Sequence, residues 1–583
     1  MVEHNRSINS FKLFNETPHM APLDPNILSH ISLKKSKISA IIQNVVNKSV
    51  ILETTAMLHG KLFSILIDET TEVSNTKIVW FLIRYIHEET IYTYLLDLIR
   101  LKECTAENLH KCLLHSLKTH DLPVSNIVGV CADNTDVMLG RQNSLISRLL
   151  ADNEEISVFP CICHSMNVVA SQACKHLPSH VEEFLDSVYT YFSRSPKLQG
   201  VSEGMQDFVK FANQKLLQSS RTKWMALTEC VKRILNQWQD LFAIFEEAVK
   251  EGKSKVAGKI FEYFNCPYTK AYVQFLNYVL NTFTGIGRLF QSSVVLLHCL
   301  LPECLRLVRL LGGNFIKSEY IVVPNIHEID VYNEANLVPL RTIYIGAESI
   351  STINEIIKSN LENEKIMKFY TNIKKFYQSA FENIVKRLPF EETFLNSLDF
   401  LTPRIALDIT SHQNDQLNCI LSKFKSKFNG NDVLDEWRLL PFYFSNEEKG
   451  NLRLLAIPQF WHQISSTNDI SGKHMFKNIS KLAQLCLTLP LSNADVEGFF
   501  SNFTEVKTKL RNKLEPQMLA ALTRVKLDLN SKNLNASNYK ITDKMLSLFN
   551  NRMYANDCIP EELAGILFPD STDESDNEIG DNN

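Results

Sequence analysis

At 583 residues, 45% hydrophobic and 22% charged, the chain has the composition of a globular protein large enough for several domains. A net charge of −4 excludes a global positive field, so any nucleic-acid contact needs local basic patches. Thirteen cysteines without a repeating framework exclude a disulfide scaffold and fit reduced thiols in nucleus or cytosol. The N-terminal MVEHNRSINSF lacks the apolar core of a secretory signal, and no run of about 20 uninterrupted apolar residues occurs. A soluble intracellular protein with no membrane partner is expected.

Residues 1–36 are polar and punctuated by Pro18, Pro22 and Pro25, and read as a poorly ordered lead-in. Lys34, Lys35 and Lys37 lead into a helix predicted over 38–59; they read as a solvated face or, less simply, as a DNA-backbone contact. Strands follow at 62–68, 77–87 and 90–100, the last two joined by the short turn Glu88-Glu89. A helix over 105–120, a strand over 126–131, a helix over 137–150, a strand over 156–160 and a helix over 163–176 complete the pattern. The order is β-β-β-α-β-α-β-α, an α/β arrangement assigned to residues 37–229. Asp68 closes the first strand and Asp133 the fourth.

Residues 230–470 change character. Stretches 273–311 and 353–388 are apolar at helical spacing, which predicts a large all-helical insertion. Within it, the β-like runs EYIVVPNI and LRTIYI (319–345) predict a loop with a small hairpin. In the segment 471–535, Pro490 and Ser492-x-x-Asp495 mark a helix start. Behind them Val496, Phe499, Phe500, Phe503 and Val506 form an apolar stripe with Glu497 at its margin, near the favourable N-terminus. A second helix opens near Pro516 and turns Met518, Leu519, Leu522 and Val525 inward. On the residues alone this is an amphipathic helix pair. A terminal helical segment (536–568) and an acidic, disordered tail (569–583) end the chain.

The run SNADVEGFFSNFTEVKTKLRNKL resembles the C-terminal dimerisation region of the hAT family of DNA transposases and their domesticated descendants, the BED-finger or SCAN-type transposase-like proteins. Ser492 to Glu497, Phe499 to Ser501 and Lys507 to Leu514 carry the likeness; Gly498 stands where the family usually has Arg. Asp68-Glu-Thr-Thr-Glu72 resembles the family's first-strand signature, and Asp133-Asn134 with Val137-Met138-Leu139-Gly140 resembles its second. The resemblance implies a ribonuclease-H-like core, interrupted by a helical insertion, whose first and fourth strands lie side by side. It also implies that Asp68, Asp133 and Glu497 are the catalytic acids and the ligands of Mg²⁺ or Mn²⁺. Three carboxylates can hold two such ions for phosphodiester cleavage or strand transfer.

Cys161, His164 and Asn167 resemble a family motif that implies a phosphate contact by His164; a buried thiol and a helix-start histidine is the plainer reading. Cys161, Cys163, His164, Cys174 and His176 have irregular spacing for zinc, and no zinc is expected. Arg221-Thr-Lys223-Trp224 resembles the family's Arg-Trp motif, implying that Trp224 stacks on a base and Lys223 supplies charge; Trp224 reads equally as core. No C-x₂-C followed by a His pair occurs, so the family's BED finger has no counterpart in this sequence.

Two functions remain open at this point. One is a self-associating hAT-like DNA transposase or nuclease, homodimeric or larger, acting on DNA in the nucleus and on no small molecule. The other is a domesticated or relic protein that dimerises through Phe499, Phe500, Phe503 and Val506 and serves as a nucleic-acid-binding or regulatory scaffold, without catalysis, in nucleus or cytoplasm.

Overall fold

The computed structural model describes residues 34–71, 77–194, 223–252, 254–290, 297–323, 325–359, 363–390, 393–410, 414–490, 492, 515–535, 538–555, 563 and 565–567. They fall into two compact units, one drawn from 1–161 and 397–583, the other from 162–396. The sequence places its change of character later, near 230 and 470. No described helix is long and apolar enough to cross a membrane.

The first unit is built on a five-stranded mixed sheet in the order β3-β2-β1-β4-β5. Strands β1 (Phe63–Thr71), β2 (Lys77–His87) and β3 (Thr90–Leu101) are antiparallel neighbours. The β2–β3 turn puts Glu88 at φ 54, a left-handed conformation that closes a tight hairpin. Strands β4 (Ile127–Ala132) and β5 (Ser157–Pro160) add in parallel on the other side of β1. Parallel pairing requires a crossover, supplied by the helices between them. The expected adjacency of first and fourth strands is present.

The helical run α1 comprises Lys35–Ala40, a π-helical stretch Ile41–Asn47, and Lys48–Leu58. Helix α2 spans Ala106–Thr119, its N-cap Thr105 accepting from the Asn108 N–H. The predicted helix over 137–150 is instead two, α3 (Asp136–Leu139) and α4 (Leu145–Asp152). The break has a local cause: Asn143 stands at φ 50, and Ser144 starts α4 with a reciprocal cap on Ser147.

The second unit, over its described residues, is helical: α5 (Ile162–Cys174), α6 (Ser179–Arg194), α7 (Lys223–Asn236), α8 (Trp238–Lys250), α9 (Lys255–Asn265), α10 (Pro267–Phe290), α11 (Leu300–Gly312), α12 (Ala347–Lys358) and α13 (Asn363–Arg387). Helix α13 packs along α5, and α10 along α7 and α12. The hairpin expected over 319–345 does not form. Ser318–Ile321 is a short helix, three 3₁₀ turns follow, and the sole ladder contact among the described residues there is an isolated bridge, Ile316 to Leu337. Buried Ile326, Val331, Leu337, Ile343 and Ile345 explain the β-like sequence: they are a coil's anchors in the core rather than strand residues.

The chain then re-enters the first unit. Besides a helix at Asn414–Lys423, its helices there include α14 (Gly430–Tyr443), α15 (Asn446–Leu452), α16 (Ile457–Ser465), α17 (Lys477–Thr488) and α18 (Pro516–Ser531).

Residue alternation sorts the strands of that unit onto two faces. Phe63, Ile65 and Ile67 of β1, Val79, Phe81 and Ile83 of β2, and Val130 and Ala132 of β4 join Leu109, Leu113, Leu145 and Leu149 in one buried core under α2 and α4. The opposite face carries Ser64, Leu66 and Asp68, with Gly129, Cys131 and Asp133 beside them, all buried. Late elements cover that side. Helix α17 lies against β2, β1 and β4, and α18 against β3 and α1. Met518, Leu519, Leu522 and Val525 of α18 are buried as expected, but so are Ala520, Ala521, Thr523, Arg524 and Lys526 between them. That helix is enclosed on nearly all sides, which a one-face stripe does not anticipate.

The chain's last described residues return to the sheet. Lys102 N–H donates to the Ile566 carbonyl (3.1 Å), Leu101 bridges Leu567, and Leu563 enters the core. The terminal segment is therefore helical over Asp543–Leu548 and meets β3 through a turn that ends in the isolated bridge at Leu567.

Candidate active site

Parallel pairing brings two acids together. Leu66 of β1 pairs with Cys131 of β4, and Asp68 and Asp133 stand two residues further along each strand, on the same face. Both are buried. Carboxyl ends of adjacent strands are where ligands collect in open α/β sheets. The Asp68 Oδ1 accepts from the Glu69 N–H (3.0 Å). The Asp133 Oδ1 accepts from the Thr135 hydroxyl (2.7 Å) and N–H (3.3 Å), which fixes its rotamer through a local turn. Two hard oxygen donors side by side suit Mg²⁺ or Mn²⁺ better than a thiol-seeking ion.

An ion pair stands near this end of the sheet, on the face opposite Asp68. Lys77, at the start of β2, pairs with Glu69 (2.7 Å). The Glu69 carboxylate raises the Lys77 pKa above its ordinary value, against a desolvation that lowers it, and Asp133 adds to the rise. Burial, then Glu69, pushes the nearby Cys104 thiol up to about 12, so it stays protonated and unreactive at neutral pH.

The third predicted acid, Glu497, lies outside the described residues, as do Phe499, Phe500, Phe503, Val506 and Glu72. Among the described residues no group of three or more His, Cys, Asp or Glu is placed to hold a metal ion. The chain leading to Glu497 is described up to Pro490 and again at the buried Ser492. A Cβ on Gly129 would come within 2.7 Å of Ser64 Oγ, 2.9 Å of Pro490 Cδ and 3.0 Å of Leu489 Cδ2. The end of α17 therefore rests on the strand face that carries Asp68 and Asp133, and glycine is what permits the approach.

The remaining candidates belong to other elements. His164 is in the first turn of α5, in the second unit, and Cys161 follows β5, its N–H donating to the Ala132 carbonyl (3.1 Å). Lys223 and Trp224 open α7, and their side chains fall outside the described residues.

Sequence reasoning missed a buried arginine. Arg524 of α18 donates from Nε to the Leu95 carbonyl (2.8 Å) and from Nη2 to the Leu96 carbonyl (2.5 Å), with Asp97 Oδ1 at 3.6 Å. The β2–β3 register shifts at this point, so the guanidinium meets carbonyls at a bulge of the edge strand. Asp97 is held in turn by the Ser116 hydroxyl of α2 (2.8 Å). An arginine on an amphipathic helix gives no sequence signal of such a role.

Comparison with known families bears on both ends of this unit. Residues 19–144, which include Asp68 and Asp133, match the ZMYM1/FAM200, RNase-like domain. Residues 460–529, which include Glu497 and Arg524, match the hAT family C-terminal dimerisation region. Over these two stretches the chain is similar to hAT-family transposase-derived proteins. No curated protein matches it. The dimerisation match supports self-association, and the RNase-like match agrees with the mixed sheet.

Proposed function

We propose that this chain is an hAT-transposase-derived protein and a self-associating, metal-dependent enzyme of DNA cleavage or strand transfer, with Asp68, Asp133 and Glu497 as its acids. The observation that carries the reading is the β1–β4 register, in which Leu66 pairs with Cys131 and Asp68 and Asp133 each follow two residues on. Glu497 follows Pro490 by seven residues, a reach of at most about 25 Å when extended. That is ample to return a carboxylate to the face on which Pro490 rests. The finer architecture proposed with it is a ribonuclease-H-like core split by the helical insertion and completed by the C-terminal dimerisation helices.

When bound, Mg²⁺ or Mn²⁺ supplies an activated water and neutralises the charge on the leaving oxygen. The chain's own residues do the rest. Asp68 and Asp133 hold negative charge at fixed positions in a buried setting, and Thr135 locks the Asp133 rotamer. His164 is assigned a phosphate contact, and Lys223 and Trp224 backbone charge and base stacking. A nuclear location follows from a DNA substrate.

The test is Mn²⁺-dependent nicking of a DNA duplex by the full chain. Cleavage that disappears in Asp68→Asn, Asp133→Asn and Glu497→Gln alike supports the enzyme. Cleavage unaltered by any of the three overturns this site assignment. A second reading, a non-catalytic dimerising scaffold, is favoured by Gly498 and Lys223, which replace arginines of the family pattern. Absence of Mn²⁺-dependent cleavage in a chain that still self-associates selects it.

A further inference from the structure

We propose that Leu439, Phe442 and Tyr443 of α14, together with Ile470 of the adjoining loop, form the face on which a second copy of this chain docks. The proposal rests on the self-association reading and names its surface. On α14 the buried side carries Val433, Trp437 and Leu440. Leu439, Phe442 and Tyr443 fall at i, i+3 and i+4, one face of the helix, and remain exposed, Phe442 by 58%.

The loop beyond is tied to that face. The Tyr443 hydroxyl donates to the Asn468 carbonyl (3.1 Å), and its ring stands edge-on to Phe476 at 5.3 Å. Between those anchors Asn468 bridges His474. The Asp469 Oδ1 accepts from the Ser471 N–H (2.7 Å), the Ser471 hydroxyl (2.6 Å) and the Lys473 N–H (2.9 Å), and Gly472 turns the chain at φ +84. Ile470 is thus held fully in water by a loop organised through its own hydrogen bonds. A rigid loop costs little further entropy on binding, so an apolar tip on it is suited to be an anchor.

The occupant is a second copy because the surface is continuous with the region matched as a dimerisation region. Ile470 lies inside residues 460–529, and α14 is fastened to α17 of the same region. The Glu436 carboxylate of α14 accepts from the Asn478 N–H (2.7 Å) and the Ile479 N–H (2.8 Å) at the start of α17. An apolar face is self-complementary across a two-fold axis, since it meets itself without opposed like charges.

Sedimentation velocity of the full chain decides the matter, comparing wild type with Ile470→Asp, Phe442→Glu, the double variant and the milder Ile470→Ser. Each charged single variant is expected to weaken self-association by on the order of 30-fold, and the double to leave monomer with an unchanged melting curve. Variants that assemble as wild type does overturn the proposal. So does a lowered melting temperature with assembly intact, which would mean that the face is covered within one copy. A wild-type chain that is monomeric at every concentration removes the self-association reading itself, and this surface with it.

Discussion

Arg524 shows how one side chain joins distant parts of this fold. Its guanidinium meets the carbonyls of Leu95 and Leu96 where β3 bulges, and it faces Asp97. Removing one member of such a buried set strands the others, at a cost of about 3–5 kcal/mol. Arg524→Met should lower the urea midpoint accordingly, and Arg524→Lys should recover part of the loss, because lysine restores charge but not the fork. His120 lies in the same neighbourhood, buried, its Nδ1–H donating to the Ser116 carbonyl (2.8 Å). Its Nε2 has no hydrogen-bond partner among the described residues. Burial first, and the Arg524 charge second, lower its pKa below the ordinary 6.5, against the Ser116 bond and Asp97, which raise it. The folded chain therefore holds the imidazole neutral, while the unfolded chain protonates it below pH 6.5. The stability His120 contributes is whole above that pH and declines below it. Urea titrations from pH 7 to about 5 should show a steeper loss for wild type than for His120→Gln.

At the scale of elements, the end of α17 is set by contact and its start by charge. Gly129 leaves room for Leu489 and Pro490 on the sheet face, and a methyl group there would force the helix end outward. Gly129→Ala should cost about 1–3 kcal/mol by thermal or urea unfolding. At the other end, the Glu436 carboxylate takes up two N–H groups of the first turn, where the helix dipole favours negative charge. Glu436→Ala should destabilise by about 1–3 kcal/mol, and far-UV circular dichroism should show the loss in an early, partial transition. The strands are legible in the sequence because β-branched and aromatic runs are bounded by turn residues, as at Glu88-Glu89 between β2 and β3. The split of α3 from α4 is not, since Met138, Leu145 and Leu149 stand at i, i+7 and i+11, a helical spacing that runs across the break. The coil over 319–345 misleads for a related reason: Ile343 and Ile345 alternate as a strand would, yet serve as buried anchors.

For the whole molecule, the adjacency of the first and fourth strands is readable because order along the chain limits how such strands can pair, although β1 runs three residues past Asp68, to Thr71, rather than ending there. The Arg524 clamp and the exposed face of α14 are not readable, because periodicity records how apolar a face is and not what finally covers it. Both belong to the unit that carries the acids, which is assembled from the two ends of the chain, while residues 162–396 form the other unit. An enzyme on this fold requires Glu497 to return to the face of Asp68 and Asp133 and complete one ion site. Calorimetric titration of Mn²⁺ into the full chain tests that return, with wild type compared against Asp68→Asn and Glu497→Gln. Binding heat in wild type that is lost in both variants is the expected result. Binding that survives Glu497→Gln, or no Mn²⁺ binding with or without DNA, would contradict it.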